Sequence, residues 1–209
     1  MRPRRFRLDN DFVRVLLRVL IVAAVVTALI AVETTSRSGV LWRLITFTYQ
    51  ANVLAAAYYL WSLFSARVDD RVGIRGAVVL YVVVAGSLWN LLLTDYSMGY
   101  TPPNILLHIV VPVLVTVDWI VVRRRQSAVR WWQPLVWLIY PAAYLVLALF
   151  VLNRAGRRAP YYFLDPDSVG MAVVVVNIGL LAVFILALGY GISAVSRPRR
   201  AGSLPSAMS

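Results

Sequence analysis

One histidine and a few hydroxyl and amide side chains interrupt long apolar runs in this chain, and chemistry has to be sought there. Thr46, Thr48, Gln50 and Asn52 fall in one run, Asn90 in the next with Asp95 at its close, His108 and Asp118 in a third, and Asn177 in the last. Polar groups in such surroundings are costly unless they act or bond a neighbour. A threonine hydroxyl is a weak, hindered nucleophile that needs a base, and a neutral imidazole can take its proton near pH 7. Thr46 as nucleophile and His108 as base would suit attack on an ester carbonyl, with Gln50, Asn90 and Asn177 as candidate donors to the oxyanion. Each also has a plainer role. A helical threonine commonly bonds a carbonyl of its own preceding turn, and intramembrane histidine and asparagine commonly join helices.

These residues need elements to position them, and composition names the solvent of those elements. Of 209 residues, 61% are hydrophobic and 14% charged, with a mean hydropathy of +0.75. A soluble domain is about 45–50% apolar and about 25% charged. Without cysteine, disulfides and Cys-based metal sites are excluded, and no cofactor is expected. A spanning helix takes about 20 apolar residues, and six segments qualify: Phe12 to Val32, Leu41 to Ala66, Gly76 to Asp95, Asn104 to Val122, Pro134 to Leu152 and Gly170 to Val195. The expected fold is an all-α bundle of six transmembrane helices over 12–195, between a basic tail at 1–11 and a basic, then disordered tail at 196–209. A basic start before an apolar run also fits a signal peptide. No small-residue cleavage site follows Ile30, so the first span is read as a retained anchor, with Arg14 and Arg18 snorkelling to the headgroups.

All 21 basic residues are arginine, and their distribution gives orientation. The tails and the second and fourth loops hold 14, the other loops five, which puts both termini in the cytoplasm. The net charge of +12 is therefore read as topology and contact with anionic lipid, not as nucleic-acid binding. Arginine-only usage with abundant Ala and Val suggests a GC-rich bacterial genome, hence a bacterial inner membrane. In the outer loops, Thr101-Pro102 and Asp165-Pro166 have the pattern of a capping residue followed by proline at the first helical position. Tyr161 to Leu164 is aromatic and apolar, either an interfacial belt or a cap over an outer site.

Span counting then assigns depth. Thr46 and His108, five and four residues from the outer ends of their expected spans, both lie roughly 6–8 Å deep at about 1.5 Å per residue. Asn90 and Asn177 share the outer half, and Gln50 lies one turn below Thr46. Asp118, ten residues beyond His108, is roughly 15 Å further in. It reads as an inner-interface residue, which leaves Asp95 and Glu33 as the candidates to orient the imidazole.

Three segments carry a resemblance. Trp42-Arg43-Leu44-Ile45-Thr46-Phe47, His108-Ile109-Val110-Val111-Pro112 followed by Asp118, and Tyr161-Tyr162-Phe163-Leu164-Asp165 are similar, in order and spacing, to segments of the androgen-induced protein and androgen-dependent tissue-factor-pathway-inhibitor-regulating protein family. Thr46 to Asn52, His108 to Asp118 and Tyr161 to Pro166 resemble bacterial six-span relatives more than the animal segments. That family's animal members are intramembrane threonine hydrolases of hydroxy-fatty-acid lipid esters. The resemblance implies Thr46 as nucleophile and His108 as its partner, with membrane lipids as substrate. Tyr162 stands where the animal segment has proline, and Thr48 offers a second hydroxyl. The expected activity is thus a lipid-ester hydrolase opening toward the outer leaflet. Alternatives are a small transporter or proton-linked carrier lined by His108, Asn90 and Asn177, or a non-catalytic lipid-binding protein. Pro112 and Pro141 interrupt only the second half, which weighs against a repeat-built transporter.

Overall fold

The computed structural model describes residues 5–35, 43–96, 99–122, 128–152 and 161–196. The two tails apart from residues 5–11 and 196, and the loop arginines Arg37, Arg123 to Arg125, Arg154, Arg157 and Arg158, lie outside them. The described residues form six long helical rods and no strand. Helix α1 is Arg5–Thr35 and α2 is Phe47–Phe64. Rod α3 is Val72–Leu88 continued by a π-wound turn, Trp89–Leu93. Rod α4 has three pieces: Pro102–Ile105, the π turn Leu106–Val110, and Val111–Val122. Rod α5 joins Gln133–Trp137, Ile139–Val146 and the π turn Leu147–Leu152, and α6 is Met171–Ser196.

Five of the six, all but α2, are by length and composition apolar enough to cross a membrane. That is the build of a multi-pass membrane protein. Helix α2 is 18 residues long, about 27 Å at the helical rise. It falls short in apolarity because it carries the polar residues. It turns that polarity inward, with Asn52, Tyr58, Tyr59 and Ser62 all buried.

Rods α1 to α4 close into a four-helix ring, α1 against α2 and α4, and α3 against α2 and α4; α6 packs on the outside of α3. More than half of the α3 span is buried, against 11% of α6, so α3 is the central rod and α6 a peripheral one with much apolar surface exposed. Successive rods alternate in direction. In the first half of α1, Arg18 Nη1 donates to the Ser62 carbonyl near the end of α2 at 3.2 Å; near the start of α3, Arg75 Nη2 donates to the Asp118 carbonyl near the end of α4 at 2.7 Å.

That end of the bundle differs from the sequence expectation. Arg18 does not snorkel outward, and Asp118 is no interface residue: they are 2% and 0% exposed. Asp118 pairs with Arg75, itself fully buried, and lies 3.8 Å from Arg18 Nε. Arg75 also lies 5.5 Å over the Trp119 ring. The carboxylate between two guanidinium groups is what makes an inward route cheaper for them than one to the surface.

Two prolines shape the other half. Proline has no N–H for the carbonyl four residues earlier, and its ring crowds that oxygen. Pro112 thus frees His108 O, which accepts from Asn90 Nδ2 of α3 at 3.1 Å; Pro141 frees Trp137 O, which accepts from the Tyr81 hydroxyl, also of α3, at 3.1 Å. Side chains of a neighbouring helix restore the lost bonds, as the membrane interior demands.

The loop devices are partly as expected. Asp165 Oδ1 accepts from the Asp167 N–H at 3.1 Å and caps Pro166–Val169. Thr101 occupies the capping position before Pro102, but its hydroxyl makes no cap bond.

Candidate functional site

The site lies where the start of α2, the end of α3 and the start of α4 meet. His108 is 7% exposed and sits in the π turn of α4. Within that turn the Val111 N–H reaches back to Leu106 O. With Pro112 next, the Leu107 carbonyl is left to the Asn52 Nδ2 of α2, 3.5 Å away. Asn52 and Asn90 therefore clamp two successive carbonyls of the wound turn from opposite helices. Gly86 makes the approach possible, since a Cβ there would lie 2.7 Å from both His108 O and Pro112 Cγ. π turns of this kind recur at functional sites because they displace a side chain from helical register.

The imidazole is fixed on three sides. Its ring stacks on Trp89, at 4.5 Å between centroids and 18° between planes. Nδ1 lies 2.9 Å from the Asn104 carbonyl, which can only accept, so Nδ1 carries the proton and Nε2 is the acceptor. Nε2 faces Thr48 Oγ1 at 3.3 Å, and the Thr48 hydroxyl donates to it. A hydroxyl donating to an imidazole whose other nitrogen is held by a third group is the arrangement of a nucleophile and its base.

Thr48 departs from five other threonines. Thr34, Thr35, Thr46, Thr94 and Thr116 each donate to a carbonyl three to five residues back. Thr48 is the second residue of α2, after the extended cap Thr46, so no helical carbonyl four residues back is presented to its hydroxyl; Leu44 O accepts from Gln50 Nε2 at 2.7 Å, and Gln50 Oε1 accepts from the Tyr140 hydroxyl at 2.7 Å. The position of the helix start thereby leaves the Thr48 hydroxyl for the imidazole.

Of the residues singled out from sequence, only His108 and Asn90 meet at this point. Thr46 is the N-cap of α2 and bonds Arg43 O at 2.9 Å. The helix begins at Phe47, later than the expected Leu41, so Thr46 stands at its mouth and Thr48 faces His108. Glu33 pairs with Arg43; Asp95 is exposed in the turn Thr94–Tyr96. Neither orients His108, because the backbone of Asn104, one turn away, takes that place. Gln50, Asn90 and Asn177 all spend an amide N–H on backbone carbonyls, Asn177 on Phe163 O at 2.8 Å. Thr48, Trp89, Asn52 and Asn104 are the additions. Thr48 was visible as the second hydroxyl of its run and Asn52 as an amide in the same run; Trp89 and Asn104 had no distinguishing signal.

A groove of about 640 Å³ on the outer face of α3 and α4 is lined by Ser87, Asn90, His108, Thr116 and otherwise apolar side chains. A separate cavity of about 190 Å³ lies between α3, α5 and α6, with Phe47 on its wall and Tyr161, Phe163 and Leu164 over it. Those three loop residues are buried and Tyr162 alone points out. Burial holds the Tyr161 hydroxyl well above the ordinary phenol range. Among the described residues no group of His, Asp and Glu could hold a metal ion. No family model, curated protein or solved structure matches the chain.

Proposed function

We propose that the protein is an intramembrane lipid-ester hydrolase in which Thr48 is the nucleophile and His108 its base. The observation that carries this is the hydrogen bond from the Thr48 hydroxyl to Nε2 of an imidazole locked by Asn104. Thr48 Oγ attacks the acyl carbon as His108 takes the hydroxyl proton. The ester C–O bond then breaks, and the departing alkoxide takes that proton from His108. Water attacks the acyl-threonine, again giving a proton to His108, which returns it to Thr48 Oγ as the acid leaves. A positioned base of this kind contributes about 10²–10⁴-fold. The groove between α3 and α4, with His108 and Asn90 in its wall, is the lateral access for a lipid ester.

In this reading α2 is the sixth crossing, both termini are cytoplasmic by the arginine distribution, the Arg18–Asp118–Arg75 end faces the cytoplasm, and the membrane is the bacterial inner membrane. The resemblance noted above supports a threonine–histidine hydrolase but points to Thr46; the hydrogen bonding favours Thr48. A transport route is disfavoured because Val111 and Val115, both fully buried, fill the interior between His108 and Asp118. Labelling of the purified protein by a fluorophosphonate tests the assignment. Loss in Thr48→Ala and His108→Ala with retention in Thr46→Ala is expected; loss in Thr46→Ala with retention in Thr48→Ala moves the nucleophile to Thr46, and undiminished labelling in all three sinks the hydrolase.

A further inference from the structure

The cavity between α3, α5 and α6 is on the far side of Phe47 from the Thr48–His108 pair and takes no part in the chemistry above. Its shape follows from how α5 and α6 diverge. At one end Pro134 and Trp137 lie against Gly189, where an added Cβ would meet them at 3.2 and 3.6 Å. Toward the other end the rods splay, and Tyr161, Phe163 and Leu164 cover the gap, tied down by the Asn177 bond to Phe163 O. The result is a wedge with apolar walls whose only side-chain polar groups are the hydroxyls of Tyr144 and Tyr161, 3.5 Å apart and bonded to each other.

We propose that this wedge is a binding site for one unbranched acyl chain of a membrane lipid, distinct from the hydrolytic site. The walls select that occupant. Water needs two to four polar partners, and the lining offers only two side-chain hydroxyls, already bonded to each other and to the Phe47 backbone. A peptide would bring backbone groups that nothing here can bond. An apolar cavity of about 150 Å³ admits benzene, so 190 Å³ takes roughly six to eight carbons. The remainder of a longer chain would leave beside Ala142, a lining residue exposed on the outer face of α5. That face belongs to a rod apolar enough to lie among lipid chains.

The test uses the full chain in phosphatidylcholine nanodiscs containing a hexadecanoic-acid analogue with a diazirine midway along its chain. After illumination, adducts are mapped by mass spectrometry. Adducts at Leu145 and Leu181, which line the wedge, should exceed those at the outward-facing Val176 and Val183 by at least fivefold. Filling the wedge by Ala182→Trp, or from the opposite wall by Ala142→Phe, should remove the excess, whereas Thr48→Ala and His108→Ala should leave it intact. Equal labelling inside and outside in the unmodified protein, or an excess that survives both filling variants, overturns the site. Failure of the hydrolase reading shows only in the fluorophosphonate experiment, so the two outcomes are separable.

Discussion

The buried charges at one end of the bundle allow a demanding test of what holds it together. Asp118 is the carboxylate between Arg18 and Arg75, and all three are at most 2% exposed. Replacing it by asparagine keeps the volume and an acceptor but leaves two guanidinium groups without their counter-charge. Removing one partner of a buried pair costs about 3–5 kcal/mol, a large fraction of the roughly 5–15 kcal/mol that holds a typical domain folded. Asp118→Asn should therefore unfold far below the wild type in mixed micelles, followed by tryptophan fluorescence, for which Trp119 beside Arg75 is a local reporter. The double variant Arg75→Leu/Asp118→Leu should recover most of the loss, because apolar replacement of a buried pair is often neutral or stabilising by about 1–4 kcal/mol. Arg18, seven residues into the apolar stretch Asp11–Thr35 of α1, can then turn outward toward the headgroups. A loss under about 1 kcal/mol for Asp118→Asn would refute the reasoning, since it would mean that the arginines reach water or headgroups unaided.

Other perturbations address the site. Gln50→Leu removes the bonds to Leu44 O and to the Tyr140 hydroxyl that fix the start of α2, so fluorophosphonate labelling should fall, with the fold intact by gel filtration. Pro112→Ala restores an N–H for His108 O and relaxes the π turn; thermal stability should hold or rise while labelling drops at least tenfold. Gly86→Val drives a side chain into His108 O and Pro112, and an overpacking cost of about 1–3 kcal/mol should appear in micelle unfolding together with loss of labelling. Asn90→Ala leaves a buried carbonyl without its partner, at about 1–3 kcal/mol, read by the same unfolding measurement.

Which parts of this were legible beforehand follows from the range of the interactions. The rods could be read because an apolar run is a local property, and five of them met a length and apolarity standard without reference to any neighbour. Helix α2 was the weakest by that measure for the reason that makes it interesting, its inward polar residues. His108 stood out as the sole histidine. Its partner did not: the choice between Thr46 and Thr48 turns on a helix start displaced by a few residues, which leaves no mark in composition. The ion cluster joins residues 43 and 100 positions apart, so no local pattern announces it. The depth ruler used for Thr46 and His108 sets Arg18 and Asp118 six and four residues inside the inner ends of their expected spans but leaves Arg75 one residue outside its own, so it does not gather the three.

The two freed carbonyls carry a consequence for how this sequence can change. Position 112 and position 90 form one unit, and positions 141 and 81 another, because each proline creates the acceptor that its partner on α3 satisfies. A chain that loses Pro112 loses the demand for an amide at 90, and one that loses Asn90 is left with an oxygen that no helix turn can satisfy. Substitutions at these places are therefore expected to arise in pairs, proline with donor and alanine with an apolar residue. In a set of related sequences that pairing would appear as covariation across the α3–α4 and α3–α5 contacts, while α6, with its lipid-facing surface, drifts freely among apolar residues.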